Sequence, residues 1–241
     1  VKNNVLGYRV FDQKLSDFFK QDLVGTIVIN TINAYSYVIA KKDKDFSRAL
    51  RDSDVLLPDG FPITLASRLL CKKKIQKIAG EDIFFHLLRK MNHERGRVFF
   101  LGSSDDTLAK IEARINREFP NVSSGIFSPP YKERFSELDN QRMIDAVNNF
   151  KPTVLFVGMT APKQEKWVYH NQNHINASII CSIGAVFDFY AGTVKRPSKF
   201  WINLRLEWFI RLLKEPKRLW KRYLFYSPKF LIDVFKAKLG I

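Results

Sequence analysis

Cysteine is scarce in this sequence. Of 241 residues only Cys71 and Cys181 carry a thiol, far apart and in no CxxC spacing. That excludes a disulfide framework and a cysteine-ligated zinc site, and it fits a reducing compartment. No run approaches the ~18 apolar residues of a membrane span. The opening Val1-Lys2-Asn3-Asn4 lacks the charged-then-apolar layout of a secretion signal. The expectation is a cytoplasmic chain, with a membrane surface still open to it. There is no GxGxxG, which argues against a dinucleotide-dependent oxidoreductase, and no HExxH. His170 and His174 have i, i+4 spacing but no evident third ligand, so a solvated helix face is expected there. Internal repeats and low-complexity segments are also missing.

Acidic residues are in deficit. Against 40 Lys and Arg stand 24 Asp and Glu, a net charge of +16 with pI about 9.8. So large a charge calls for a polyanionic partner: nucleic acid, an anionic membrane surface or a phosphate-bearing substrate. The excess is concentrated: residues 195–241 hold thirteen basic and three acidic residues, a net +10. Two units are therefore expected, an α/β domain over 1–194 and a basic helical appendage over 195–241. In the second, Trp201, Ile202, Leu204, Leu206, Trp208, Phe209, Leu212 and Leu213 fall on one broad helical arc. Past Pro216, Lys217, Arg218, Lys221 and Arg222 oppose Leu219, Trp220 and Tyr223. Basic amphipathic helices with Trp and Tyr suit a membrane interface.

In the first unit β-branched runs alternate with helical periodicity. Strands are expected at Thr26–Asn30, Val55–Leu57, Arg97–Leu101, Gly125–Phe127, Thr153–Val157 and Ala177–Ile183. Helices are expected from Ala34, over Asp105–Glu118 and from Pro162. This predicts a Rossmann-like parallel sheet with helices on both faces, whose ligands sit beyond the carboxyl ends of the strands. The polar and glycine-bearing segments fall at those ends. Gly102, before the helix at Asp105, offers free N–H groups to a phosphate or serves packing alone. Asn30-Thr31-Ile32-Asn33 ends a strand, and either Thr31 or Asn33 caps the next helix. Asp59, in Pro58-Asp59-Gly60, is either a turn residue or a general base. Pro162 suits a first helical position and Glu165 complements the helix's positive end, but capping does not account for Gln164 between them. Asp52-Ser53-Asp54 spells DxD, yet it precedes its strand and should lie away from the site.

Together these pieces resemble the WecG/TagA/CpsF glycosyltransferases of bacterial surface-polymer synthesis. The resemblance rests on Thr31-x-Asn33-Ala34, Leu57-Pro58-Asp59-Gly60-x-Pro62, Gly80-x-Asp82, Phe100-Leu101-Gly102 and Ser128-Pro129-Pro130. It continues through Gly158-x-x-x-Pro162-Lys163-Gln164-Glu165-x-Trp167, Gly184-Ala185-x-Phe187-Asp188, Gly192-x-Val194-x-Arg196, Leu206-Glu207-Trp208 and Glu215-Pro216-x-Arg218-Leu219-Trp220. It implies an inverting transferase that moves a sugar from a UDP-sugar to a saccharide on a polyprenyl diphosphate, in exopolysaccharide, cell-envelope antigen or teichoic-acid synthesis. It further implies Asp59 as base, Thr31 and Gln164 in catalysis with Asn33 beside them, and Arg211 and Arg218 on the donor diphosphate. Asp188 is a candidate contact to uridine or ribose, and Gly102, Pro162 and Glu165 complete the expected donor-binding set. With no DxD at a strand end, no metal cofactor is expected. The expected place is the inner face of the cytoplasmic membrane, as a peripheral protein with room for homo-oligomers. A nucleic-acid-binding module is the rival reading, but no recognition motif supports it.

Overall fold

The structure, a computed structural model, describes residues 3–21, 24–194, 201 and 206–241, without the side chains of Glu207 and Arg218. A short hairpin of β1 (Asn4–Val5) and β2 (Tyr8–Arg9) precedes α1 (Leu15–Phe18). The body of the fold alternates strand and helix. It runs β3 (Ile27–Ile32), α2 (Ala34–Ala40), α3 (Lys44–Arg51), β4 (Val55–Pro58), α4 (Phe61–Leu70), α5 (Gly80–Glu94) and β5 (Arg97–Gly102). It continues with α6 (Asp105–Glu118), β6 (Ser123–Phe127), α7 (Glu137–Phe150), β7 (Val154–Gly158), α8 (Lys163–Asn171), β8 (Ile179–Ser182) and α9 (Val186–Ala191). After the undescribed stretch come α10 (Glu207–Lys214), α11 (Pro216–Trp220), a π-helical segment Lys221–Tyr226 and α12 (Ser227–Leu239).

Strands β3 to β8 form one parallel sheet in the order β4-β3-β8-β7-β5-β6. Side chains alternate across it. Ile29, Leu57, Phe100, Phe156 and Cys181 face α5, α6 and α9, which bury Phe84, Leu87, Ile111 and Phe187 against them. Val28, Leu101, Val157 and Ile180 face α7 and α8, which contribute Met143, Val147, Trp167 and Val168. Helices thus cover both faces, as the alternation predicts. Local chemistry sets the helix ends. The Ser104 hydroxyl accepts from Thr107 N to start α6, and Leu108, Ile111 and Ile115 line its buried stripe.

The carboxy-terminal segment does not stand apart throughout. Phe230 and Val234, one turn apart on α12, are fully buried in a cluster with Ile32, Tyr37, Leu56, Ile63 and Ala66. α12 packs on α2 and α4, with the Phe230 ring 5.2 Å from Tyr37. The sequence reading stopped short of this helix: α12 completes the core beside the β3–β4 edge. Of the expected arc before it, Ile202 to Arg205 lie outside the described residues. Among the described residues no helix is long and apolar enough to cross a membrane.

Candidate active site

The parallel register brings the carboxyl ends of the strands to one edge. Thr31 pairs with Leu57 and Ile32 with Pro58, and Asp59 N then donates to Ile32 O at 2.9 Å. Two segments separated by some thirty residues therefore meet: Thr31-Ile32-Asn33 leaving β3 and Pro58-Asp59-Gly60 leaving β4. Thr31, Asn33 and Asp59 are all half-buried, open enough to meet a ligand. Asn33, not Thr31, is the helix cap. Its Oδ1 accepts from Ser36 N at 3.0 Å while the Ser36 hydroxyl accepts from Asn33 N, a reciprocal capping box. Its Nδ2 hydrogens remain for other work.

The other end of the site lies over β5, β7 and β8, at Gly102, Gly158 and Gly184. Gly102 pairs with Gly158. Any Cβ on Gly102 would meet Gly158 O at 2.5 Å, and its φ is +116°, so only glycine fits. A Cβ on Gly158 would overlap the Phe187 ring at 2.4 Å. These glycines let backbone and helix approach closely above the strand ends. β5 runs on to the outer strand β6, whereas β7 runs inward to β8. The crossovers therefore diverge above this glycine pair, where open α/β sheets form ligand crevices. The helix start after Gly102 is a poorer anion cradle than expected, because Asp105 and Asp106 occupy its first turn.

Pro162 is the residue before α8, at its N-cap, rather than in the first helical position. Gln164 is 4 % exposed. Its Oε1 accepts from Met159 N at 3.2 Å, its Nε2 donates to Glu165 Oε1 at 2.9 Å, and its amide lies against Gly184. Glu165, expected as a helix-end charge and substrate contact, is 2 % exposed, and burial pushes its pKa up to about 7. A carboxyl so enclosed reaches a ligand only through its neighbours. Lys163 lies over the Phe135 ring and donates to the Lys132 carbonyl, tying α8 to the loop after Ser128-Pro129-Pro130. Nothing in the sequence pairs Lys163 with that loop.

Asp188 sits half-buried in the first turn of α9, and its carbonyl accepts from Val194 N at 3.2 Å and Thr193 Oγ1 at 3.1 Å. Arg211, on α10, holds its guanidinium 5.2 Å from the Phe189 ring. With Phe189, Thr193, Val194, Lys214 and Glu215 it lines a cleft of about 270 Å³. Arg218 belongs to α11, but its side chain lies outside the described residues. The DxD segment falls at the opposite, amino end of the sheet, where Asp54 Oδ2 accepts from Val28 N at 2.8 Å. His170 points to Asp45 at 3.8 Å, while His174 lies beyond α8 in a separate 3-10 turn.

Comparison with known proteins settles the family. The profile of the glycosyl transferase WecG/TagA/CpsF family matches residues 4–241. The chain belongs to that family. A Bacillus subtilis (strain 168) N-acetylglucosaminyldiphosphoundecaprenol N-acetyl-β-D-mannosaminyltransferase is 32% identical over 211 residues, covering 88% of this chain and 80% of the relative. Its namesake in Bacillus spizizenii (strain ATCC 23059 / NRRL B-14472 / W23) is 32% identical over 82% of this chain and 74% of its own length. The Staphylococcus aureus (strain MW2) protein of the same name is 24% identical, over 95% of this chain and 87% of the relative. Membership of that family makes this protein a glycosyltransferase.

Proposed function

We propose that this glycosyltransferase moves a sugar from a UDP-sugar to a saccharide carried on a polyprenyl diphosphate, with inversion and without a metal ion. The observation that carries the reading is the meeting of Asp59 with the Thr31–Asn33 segment at one end of a strand-end ledge whose other end is the Gly102–Gly158 crevice. β7, which carries Gly158, lies three strands from β4, and β5, which carries Gly102, lies four, roughly 15–20 Å at usual strand spacing. That span suits a donor sugar between an acceptor hydroxyl and a departing diphosphate.

In this reading Asp59 takes the proton from the acceptor hydroxyl as it attacks the anomeric carbon opposite the leaving UDP. Thr31 and the free Nδ2 of Asn33 orient that hydroxyl. Gln164 retains one N–H and one lone pair for a sugar hydroxyl. The leaving diphosphate develops charge, which Arg211 and Arg218 neutralise through the bidentate fork of guanidinium. Asp188 stands near Arg211 through its neighbour Phe189 and serves the ribose or uracil. The relatives' names point to N-acetylmannosamine and a GlcNAc-diphosphoundecaprenol acceptor as the first pair to try. A β-linked product from an α-linked nucleotide sugar requires inversion.

The acceptor's lipid places the enzyme at a membrane surface. Exposed Trp208, Phe209, Leu213, Trp220, Leu224 and Phe225 lie among Lys214, Lys217 and Lys221, a mixture that favours an anionic interface on the inner leaflet. The test is a panel of UDP-sugars offered with a GlcNAc-diphosphate lipid, reading UDP release with and without EDTA. Turnover with one donor that persists in chelator supports the reading. Turnover that chelator abolishes and Mg²⁺ restores overturns its metal-free part, and no turnover with any UDP-sugar overturns the donor assignment.

A further inference from the structure

Three contacts fix the direction of α12 against α2. The Tyr226 ring lies 5.3 Å from Tyr35, Phe230 lies 5.2 Å from Tyr37, and the Asp233 carboxylate lies 2.7 Å from Lys41 Nζ. Residue numbers rise together along both helices, so the two run parallel. α2 starts at Ala34, just past the carboxyl end of β3. The π-helical segment Lys221–Tyr226, which leads into α12, therefore stands at that edge of the sheet and packs on α2. Within it the Arg222 guanidinium lies 5.3 Å from the centre of the Tyr35 ring and 5.9 Å from that of Tyr223. Tyr35 is two residues past Asn33, the cap of α2, and the β3–β4 register sets Asp59 beside the same turn.

Arg222 is half-buried, and its place over a tyrosine ring steadies the guanidinium without using its N–H donors. Among the described residues no carboxylate pairs with it. Lys221 lies beside it in the chain and Lys229 two turns on. Both are exposed and, among the described residues, have aromatic contacts but no ion pair, so the field at this end is positive. Asp233, an acid of the same segment, is already paired with Lys41.

We propose that Arg222 binds the diphosphate of the acceptor. The inference rests on reading the acceptor as a saccharide on a prenyl diphosphate, and it supplies a contact for a group which that reading leaves unheld. Donor and acceptor each bring one diphosphate. Arg211 stands against Phe189 of α9 and serves the donor. Arg222 stands against α2, beside the segment where Asp59 takes the proton of the acceptor hydroxyl. An acceptor sugar at Asp59 carries its diphosphate one sugar ring away, and the guanidinium fork can take two phosphate oxygens at once. Leu224 and Phe225, exposed two and three residues on, offer apolar surface to the prenyl chain. A phospholipid headgroup carries the same phosphate chemistry, and the experiment separates the two sources.

The experiment compares wild type with Arg222→Gln, Arg222→Lys and Tyr35→Leu, each checked for a wild-type unfolding midpoint. The first readout needs no turnover. It is calorimetric binding of farnesyl diphosphate without vesicles, with UDP at saturation to occupy the donor site. Affinity should fall about 10- to 100-fold in Arg222→Gln, the usual worth of a hydrogen bond to a charged group. It should fall less in Arg222→Lys, which keeps the charge without the fork, and in Tyr35→Leu, which keeps the arginine without its platform. Binding to phosphatidylcholine–phosphatidylglycerol vesicles should weaken no more than about fivefold in Arg222→Gln, the share of one basic residue at an anionic surface. The second readout is transfer. With GlcNAc-diphosphoryl farnesol, KM for the acceptor should rise about 10- to 100-fold in Arg222→Gln, while kcat and KM for the UDP-sugar stay within about threefold. With an uncharged alkyl glycoside of GlcNAc, kcat/KM should fall far less. Failure of wild type to bind farnesyl diphosphate, or equal affinity in Arg222→Gln, would overturn the proposal. So would equal losses on charged and uncharged acceptors, a rise in KM for the UDP-sugar instead, or a vesicle defect as large as the farnesyl diphosphate defect. Absence of transfer with every UDP-sugar would overturn the donor assignment, and the binding readout would still decide the role of Arg222.

Discussion

Replacing Phe230 by alanine should destabilise the whole fold, although the residue lies in the basic carboxy-terminal segment. Its ring is fully buried, 5.2 Å from Tyr37, in a cluster with Ile63, Ala66 and Val234. Truncating a buried phenylalanine costs about 3–5 kcal/mol, the lost transfer energy plus the cavity left behind. A domain stable by about 5–15 kcal/mol would lose from about a fifth of its margin to nearly all of it. Phe235, half-exposed on the same helix, is the internal control, and its alanine variant should stay within about 0.5 kcal/mol. The Lys41–Asp233 ion pair, 2.7 Å but partly exposed, adds little. The assay is urea unfolding followed by far-UV circular dichroism, with the midpoint converted through a common slope. A Phe230→Ala change below about 1 kcal/mol would refute the packing argument. It would also favour the expected division of the chain into an α/β domain over 1–194 and a separate appendage over 195–241.

Other outcomes follow from the same geometry. Glu165 has a folded-state pKa raised to about 7 from an ordinary 4.5, so its protonated form favours the fold. That contribution, about 3 kcal/mol, is present below pH 4.5 and is lost as pH rises to about 7. Unfolding free energy measured from pH 4.5 to 8 should therefore decline more steeply in wild type than in Glu165→Gln, and parallel curves would contradict the burial argument. Gly102→Ala sets a methyl group 2.5 Å from Gly158 O at positive φ. It should cost at least about 1–3 kcal/mol in the same unfolding assay, and near-wild-type stability would show that the strand ends can part.

The legible and illegible parts of this fold divide by range of interaction. Residues 105–118 were readable to their ends because Ser104, the first-turn acids and the Leu108–Ile111–Ile115 stripe are all local signals. The strand ends were readable for the same reason, through Gly102 and Gly158 closing apolar runs. The site needed more. That Asp59 lies beside Thr31 follows only from the β3–β4 register, which neither segment encodes by itself. Gln164 and Glu165 were singled out, but their burial depends on how α8 meets β8. The basic tail misled in part. The charge pattern of residues 195–241 is real, yet whether an apolar stripe meets lipid or its own domain depends on tertiary contacts, and at Phe230 and Val234 it meets the domain.

The most direct test of the account is the rate of sugar transfer by Asp59→Asn. Asparagine keeps the shape beside Ile32 and Thr31 and removes the proton acceptor. With a UDP-sugar and a GlcNAc-diphosphate lipid at saturation, UDP release should fall about 10²–10⁴-fold, the usual contribution of a general base, while UDP binding and unfolding midpoint stay at wild-type values. Near-normal turnover by this variant would contradict the assignment of Asp59 as the base, and with it the mechanism built on the β3–β4 edge.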